Sequence, residues 1–308
     1  MILVINLNAS VDKRYEIKDI KKGQVIRART VENTPGGKGL HVANVTTLLK
    51  EDCIATGFLG GKSGEFIKEK LKSYGIKGDF IKIKGETREC LAFITDEIVQ
   101  TEILEPGPEV SIEEQRKFLE KYNDLLSKAS IVVASGSAPR NIPVDIYKKL
   151  IEMANSKGKK FLLDSSGELL KEGIKGKPYF IKPNRDEIES LTGRKITCVE
   201  DAIKEIKEFQ KGGIKLVAIS LGGEGSIVGY EGKFYKVTFP KIQVVNPVGS
   251  GDSYVAGIAV ALERGYGIEE TLKLASACGT ANAVEKETGC VKEYIVNELL
   301  EQVIVEEI

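Results

Sequence analysis

The 308-residue sequence is short of several things, and each shortage removes a class of function. It has no excess of charge: 45 Lys plus Arg stand against 45 Asp plus Glu. A broad basic surface for nucleic acid or anionic lipid is therefore not expected. It has one histidine, His41, which leaves a histidine-rich metal site and a Ser-His-Asp triad poorly supported. Its cysteines, Cys53, Cys90, Cys198, Cys278 and Cys290, are odd in number and widely spaced, with no C-x-x-C pair. Neither a disulfide framework nor a zinc ribbon follows, and buried free thiols in a reducing compartment are expected. No stretch approaches the roughly 18 apolar residues of a membrane span. The opening Met1–Ile17 has no cationic leader before its short apolar run, and Asn6 interrupts that run. It reads as a first strand rather than a signal peptide, and the cytoplasm is the expected location. Repeats, low-complexity tracts and Pro/Ser linkers are also missing.

What is present is an alternation. The 42 % hydrophobic and 29 % charged fractions suit a globular chain with a large core. Apolar β-branched runs at 1–5, 54–59, 131–134, 161–163, 180–181 and 216–219 read as strands. Between them lie helical periods at 40–49, 66–74, 111–127, 143–154, 201–209, 251–262 and 268–284. Ser111 with Glu114 forms a capping box at the start of one of these helices. Strands alternating with helices predict β-α units around a mainly parallel sheet, with helices on both faces. Two segments break the pattern. Residues 13–32 carry no helical period, and 79–104 read as short strands at 79–83, 88–94 and 100–104. We expect these two excursions to form one small β-sheet lid over a single domain spanning 1–308.

Several segments carry residues suited to chemistry. In Asn246-Pro247-Val248-Gly249-Ser250-Gly251-Asp252-Ser253, glycines flank a serine, an acid follows, and a helix begins. Such a turn leaves backbone N–H groups aimed outward as an anion site, and Asp252 beside it is suited to take a proton from a hydroxyl. An ordinary turn with Asp252 facing the helix dipole fits these residues equally well. In Lys182-Pro183-Asn184-Arg185-Asp186-Glu187, Lys182 suits a phosphate, and Asn184 with Glu187 suits a hydrated Mg²⁺. Read alone, the pair is better explained as a helix cap. Gly36-Gly37-Lys38-Gly39 offers close backbone approach and a cation, or merely a glycine turn. Gly222-Gly223-Glu224-Gly225 either lines a nucleotide or makes a tight hairpin turn. Two decoys fail. Gly61-Lys62-Ser63 lacks the earlier Walker A glycine, where Thr56 stands, and Gly249-x-Gly251 meets Tyr254 where a dinucleotide fingerprint needs glycine.

Taken in order, these segments resemble the phosphofructokinase B family of ribokinase-like sugar kinases, nearly end to end. The match includes Asn8-Ala9-Ser10-Val11-Asp12, Gly36-Gly37-Lys38-Gly39, Gly85-Glu86-Thr87-Arg88, Ser135-Gly136-Ser137, Asp164-Ser165-Ser166-Gly167, Lys182-Pro183-Asn184 with Glu187, Ser220-Leu221-Gly222 and Gly249-Ser250-Gly251-Asp252. The resemblance implies a three-layer α/β/α domain with a β lid. It implies ATP- and Mg²⁺-dependent transfer of a phosphoryl group to a sugar hydroxyl. On that reading Asp252 is the base, and the N–H groups of Gly249, Ser250 and Gly251 form the anion hole. Lys182 and Asn184 contact the triphosphate, and Glu187 organises water around Mg²⁺. Ser220, Gly222 and Gly225 line the nucleotide, with Asn282 near the adenine. Asp12, Gly37, Lys38 and Ser137 hold the sugar.

Arg88 resembles the lid arginine of the branch whose substrates already carry a phosphate. That branch holds tagatose-6-phosphate kinase, 1-phosphofructokinase and the minor 6-phosphofructokinase. Thr101–Pro108, Asn246–Asp252 and the closing Val303–Ile308 look most like the first. The second usually carries Asn and Lys after the Thr-Arg pair, where this chain has Glu89-Cys90-Leu91-Ala92. Tagatose 6-phosphate, giving the 1,6-bisphosphate, is the expected substrate, with fructose 1-phosphate as the rival. A non-catalytic sugar-phosphate sensor is disfavoured by the intact Asp252, and a nucleoside or plain-sugar kinase by Arg88. The resemblance also implies a homodimer through the lid. One departure stands out: the family usually has Asn at His41 and often Arg at Asn44. His41 is expected to reach the sugar or its phosphate.

Overall fold

The computed structural model describes residues 1–97 and 100–308. Ile98 and Val99, inside the second expected lid excursion, lie outside the described residues. The chain opens with β1 (Ile2–Asn6), β2 (Ser10–Glu16), β3 (Thr30–Gly36), α1 (Lys38–Leu48), β4 (Cys53–Gly60) and α2 (Gly61–Ser73). Next come β5 (Lys77–Gly78), β6 (Ile81–Ile83), β7 (Arg88–Ile94), β8 (Gln100–Leu104), α3 (Ile112–Leu126), β9 (Ile131–Ser135) and α4 (Ile146–Ser156). Then follow β10 (Lys160–Asp164), α5 (Gly167–Ile174), β11 (Phe180–Ile181), α6 (Arg185–Thr192), α7 (Val199–Lys211) and β12 (Leu216–Ser220). The last elements are β13 (Ser226–Tyr230), β14 (Lys233–Thr238), α8 (Ser250–Arg264), α9 (Ile268–Ala283), α10 (Glu293–Leu300) and β15 (Ile304–Glu307).

The main sheet runs β15-β14-β13-β12-β11-β10-β9-β1-β4-β5. From β12 to β5 every pairing is parallel. Strand periodicity explains why both faces are covered. Ile2, Val4, Ile131 and Val133 point into one apolar cluster, and Leu3, Ile5, Val132 and Ala134 into the other. Helices α1, α8 and α9 cover the first face, and α3, α4 and α7 the second. This is the expected three-layer α/β/α arrangement. The small sheet is separate, ordered β3-β2-β7-β8. Its outer pairings are antiparallel, and its central pair, β2 with β7, is parallel.

Three local readings change. The strand expected at 79–83 does not join the lid: β6 pairs parallel with β4, and buried Ile81 and Ile83 pack into the main core. The Gly222–Glu224 segment is a 3₁₀ turn joining β12 to antiparallel β13, a hairpin connection whose exposed Gly222 and Gly223 remain open to a ligand. Of the expected buried thiols, Cys53, Cys90 and Cys278 are buried, while Cys198 at the start of α7 is exposed.

Candidate active site

Parallel strands bring their C-terminal ends to one edge. The chain order reverses beside β1, which lies between β9 and β4, and such a reversal opens a crevice there. Four side chains follow from this. Asn6 ends β1, Ser135 ends β9, Asp164 ends β10, and Lys182 follows β11. Asp164 is buried, with Oδ2 3.8 Å from Lys38 Nζ and Oδ1 3.6 Å from Lys182 Nζ. Ser135 Oγ donates to Asp164 Oδ2 at 3.3 Å. Burial pushes the Asp164 carboxyl up, but the charges of Lys182 and Lys38 outweigh it and hold the group below the usual carboxylate range. The Asp164 charge in turn raises Lys38 above the ordinary lysine range, against its own burial. Lys38 keeps 44 % of its side chain exposed, so this cation remains open to a ligand. The sequence reading quoted Asp164 within its motif but gave it no role. Its only local signal is an acid ending an apolar strand. Asn6 was missed as well: its Nδ2 is buried without a hydrogen-bond partner, against Gly37.

Two helix N-termini meet above this edge. At α8, Gly249 is the N-cap with φ 84°, a left-handed conformation that glycine adopts without strain. A Cβ there would lie 2.6 Å from Gly289 N, so the turn admits no side chain. Ser250 N–H turns back to Pro247 O at 3.3 Å, which engages one of the N–H groups expected in the anion hole. The N–H of Gly251 has no acceptor among the described residues. Lys182 Nζ lies 3.2 Å from where a Gly251 Cβ would stand, so the ammonium packs against this turn. Asp252, one residue on, is buried, and its Oδ2 lies 2.8 Å from His41 Nδ1 on α1. Across the gap, Asp12 Oδ2 lies 3.8 Å from His41 Nε2. Ser10 Oγ donates to Asp12 Oδ1 at 2.6 Å. Burial raises the Asp12 carboxyl, more than His41 and Ser10 lower it. A carboxylate, an unengaged N–H, an ammonium and, through His41, a second carboxylate are thus neighbours at this edge.

Comparison with known proteins decides the family. Residues 2–293 match the pfkB family of carbohydrate kinases. The chain belongs to that family. A candidate phosphofructokinase from Staphylococcus aureus is 32 % identical, covers 100 % of this chain and 99 % of its own, and has a TM-score of 0.87. Phosphofructokinase-2 from Escherichia coli is 25 % identical over 97 % of this chain and 98 % of its own, with a TM-score of 0.91. A candidate 1-phosphofructokinase from Thermotoga maritima is 26 % identical over 100 % and 99 %, also with a TM-score of 0.91. This protein is a sugar kinase, and phosphofructokinase-2 is among the solved structures it resembles.

The remaining site residues of this pfkB kinase fall into groups. Gly37 is the N-cap of α1, facing Asn6. Arg88 opens β7, where Nε and Nη2 donate to Asn8 O at 3.2 and 3.1 Å and Nη1 to Glu105 O at 2.8 Å. These bonds fix the guanidinium and leave its other N–H groups free. Ser137 Oγ accepts from Asn8 Nδ2 at 3.1 Å, beside the same carbonyl that holds Arg88. Asn184 and Glu187 form the capping box of α6: Glu187 N–H donates to Asn184 Oδ1 at 2.8 Å, and Asn184 N–H to Glu187 Oε2 at 3.0 Å. Ser220 bridges to Asn184 across the sheet edge, and Gly222 and Gly225 bound the hairpin turn that follows.

Two residues that the sequence assigned to ligands also make contacts within the protein. Asn282 is fully buried, and its amide holds the turn before α8: Nδ2 donates to Val248 O at 2.8 Å, and Oδ1 accepts from Gly289 N–H at 2.8 Å. It ties the turn before α8 to the Gly289 loop. His41 directs Nδ1 to Asp252, a contact that sequence spacing does not disclose. The failed Walker-like Gly61-Lys62-Ser63 is closed from within, because Glu86 accepts the N–H groups of Ser63 and Lys62 at 2.7 and 3.3 Å.

No cluster of three or more His, Cys, Asp or Glu suited to a metal occurs among the described residues. Mg²⁺ carried on nucleotide phosphates needs less, because it keeps several waters and takes one or two carboxylates. Glu187 fits that need, with Oε1 free of hydrogen bonds among the described residues and Asn184 beside it.

Proposed function

We propose that this kinase transfers the γ-phosphoryl group of ATP to the 1-hydroxyl of a ketohexose phosphate, with tagatose 6-phosphate as the substrate. The observation that carries the reading is the buried Asp252 one residue from the unengaged Gly251 N–H, with Lys182 against the same turn. Asp252 accepts the hydroxyl proton as the sugar oxygen bonds to phosphorus and the β–γ bridging bond breaks. ADP leaves with the bridging oxygen. The N–H groups of α8 and the Lys182 ammonium neutralise charge on the moving phosphoryl group, which is the main task in phosphoryl transfer. Asp12 orients the sugar hydroxyls, with Gly37, Lys38 and Ser137 completing the sugar site. Lys182 and Asn184 contact the triphosphate, and Ser220, Gly222 and Gly225 line the nucleotide. Mg²⁺ held near Glu187 would supply further neutralisation of the phosphates. Asp164 touches neither reactant and sets the positions of Lys38 and Lys182.

The free N–H groups of Arg88 suit the phosphate that the sugar already carries, and this favours a sugar phosphate over a plain sugar. Glu89-Cys90-Leu91-Ala92 after Arg88 favours tagatose 6-phosphate. Fructose 1-phosphate is the second reading, favoured by the likeness to the Thermotoga maritima protein. Asp252→Asn should lower kcat by about 10²–10⁴-fold while nucleotide still binds. Near-normal turnover in a coupled ADP-release assay would overturn the assignment.

We also propose a cytoplasmic homodimer through the lid. No helix among the described residues is long and apolar enough to cross a membrane. On one face of the lid, strand register lines up Tyr15, Val31, Leu91, Phe93 and Ile103. Tyr15 and Phe93 stack at 5.3 Å, while Val31 and Ile103 are exposed. A second copy of this chain is the partner that covers such a face symmetrically.

A further inference from the structure

His41 lies in the first turns of α1 and is 9 % exposed. Its Nδ1 stands 2.8 Å from Asp252 Oδ2. An ionised carboxylate only accepts, so Nδ1 carries the proton in this contact, whatever the charge of the ring. Its Nε2 faces Asp12 Oδ2 at 3.8 Å. The base of the side chain is closely packed. Gly289 packs so close that a Cβ there would lie 2.4 Å from His41 Cβ. Asn44, one turn along α1, donates to Gly289 O at 2.9 Å and holds that loop in place. The charged groups acting on the imidazole are Asp252 from α8, Asp12 from β2 and Lys38 from its own helix. Strands β1, β4 and β9 beneath α1 contain no Asp, Glu, Lys or Arg.

We propose that His41 is a positioning residue for Asp252, and that its protonation sets the acid side of the rate profile. The inference rests on Asp252 being the base. Neutral His41 donates from Nδ1, pins Oδ2 and leaves Oδ1 to the sugar hydroxyl. Protonated His41 is a cation between two carboxylates. It holds the Asp252 carboxylate as an ion pair, in competition with the hydroxyl proton, and draws Asp12 away from the sugar, so the rate falls. The direction of the midpoint follows from the surroundings. Burial pushes the imidazole down, but the bond to Asp252 and the charges of Asp252 and Asp12 outweigh it. The imidazolium therefore persists above the ordinary histidine value of about 6.5. The usual family Asn at this position offers a donor that cannot titrate.

Two measurements test this. His41 is the sole histidine, so its NMR resonances in the untagged chain need no assignment. Its titration midpoint should lie above the ordinary range and fall in Asp252→Asn. An unmoved midpoint overturns the coupling. The second is kcat and KM against pH for wild type, His41→Asn and His41→Leu. Wild type should show an acid limb that His41→Asn lacks, apart from the limb of the substrate phosphate itself. His41→Leu should lose about tenfold or more in kcat at every pH, with little change in the sugar-phosphate KM. A profile of His41→Asn superimposable on wild type refutes the proposal. So does a raised KM with kcat unchanged, which would mean that His41 acts on the sugar. Wild type inactive on every sugar phosphate would instead defeat the functional reading, and the NMR arm would still decide the coupling.

Discussion

Asp164 shows how one buried acid can arrange two cations at a strand edge. It holds Lys38 and Lys182 in place, and it was legible in the sequence only as an acid ending a strand. Replacing it with Asn leaves Lys182 buried and unpaired, which should cost about 3–5 kcal/mol in urea unfolding. The pH dependence has a defined sign. The folded carboxyl sits below its unfolded value of about 3.9, so its contribution is complete above that pH. It is lost as pH falls further, through the folded value. Asp12 has the opposite sign. Burial raises its carboxyl, so the ionised group opposes folding at neutral pH. Asp12→Asn should therefore raise Tm in a thermal melt at pH 7 while abolishing sugar-phosphate turnover. A lowered Tm would contradict the assignment of burial as the dominant cause. The sequence disclosed Asp12, Asp252 and Lys182 because each sits in a local motif. It concealed the bond from His41 to Asp252 because 211 residues separate the partners.

Elements were legible where their signals are local. The Ser111–Glu114 capping box starts α3 where expected, and the Asn184–Glu187 pair does cap α6. The strand at 81–83 was legible as a strand, but its partner was not, because β4 lies more than 20 residues earlier and pairing leaves no mark on composition. The β12–β13 hairpin stayed ambiguous, because four residues rich in glycine suit a turn and a ligand equally. The α6 cap permits a separation of roles. Asn184→Ala should cost about 1 kcal/mol, the usual loss of an N-cap, and Asn184→Asp should restore that stability. If Asn184 also meets the triphosphate, Asn184→Asp places a carboxylate against it and raises the KM for ATP. An unchanged KM would reduce Asn184 to a cap.

Over the whole molecule, equal numbers of opposite charges conceal a local arrangement. Lys38 and Lys182 gather around Asp164, and Arg88 stands at the start of β7 against Asn8. Asp12 and Asp252 stand between them, on either side of His41. The charge that matters is that of the filled site, with phosphates and Mg²⁺ included. Assembly belongs to this scale too. Ile103→Asp should convert the proposed dimer to monomer in sedimentation, and a monomeric wild type would refute the lid interface. The most direct test of the account is ADP release by wild type and Asp252→Asn, with tagatose 6-phosphate, fructose 1-phosphate and fructose 6-phosphate at matched concentrations. The account predicts the highest kcat/KM for tagatose 6-phosphate and its near-complete loss in Asp252→Asn; no turnover with any ketose phosphate, or a variant as fast as wild type, would contradict it.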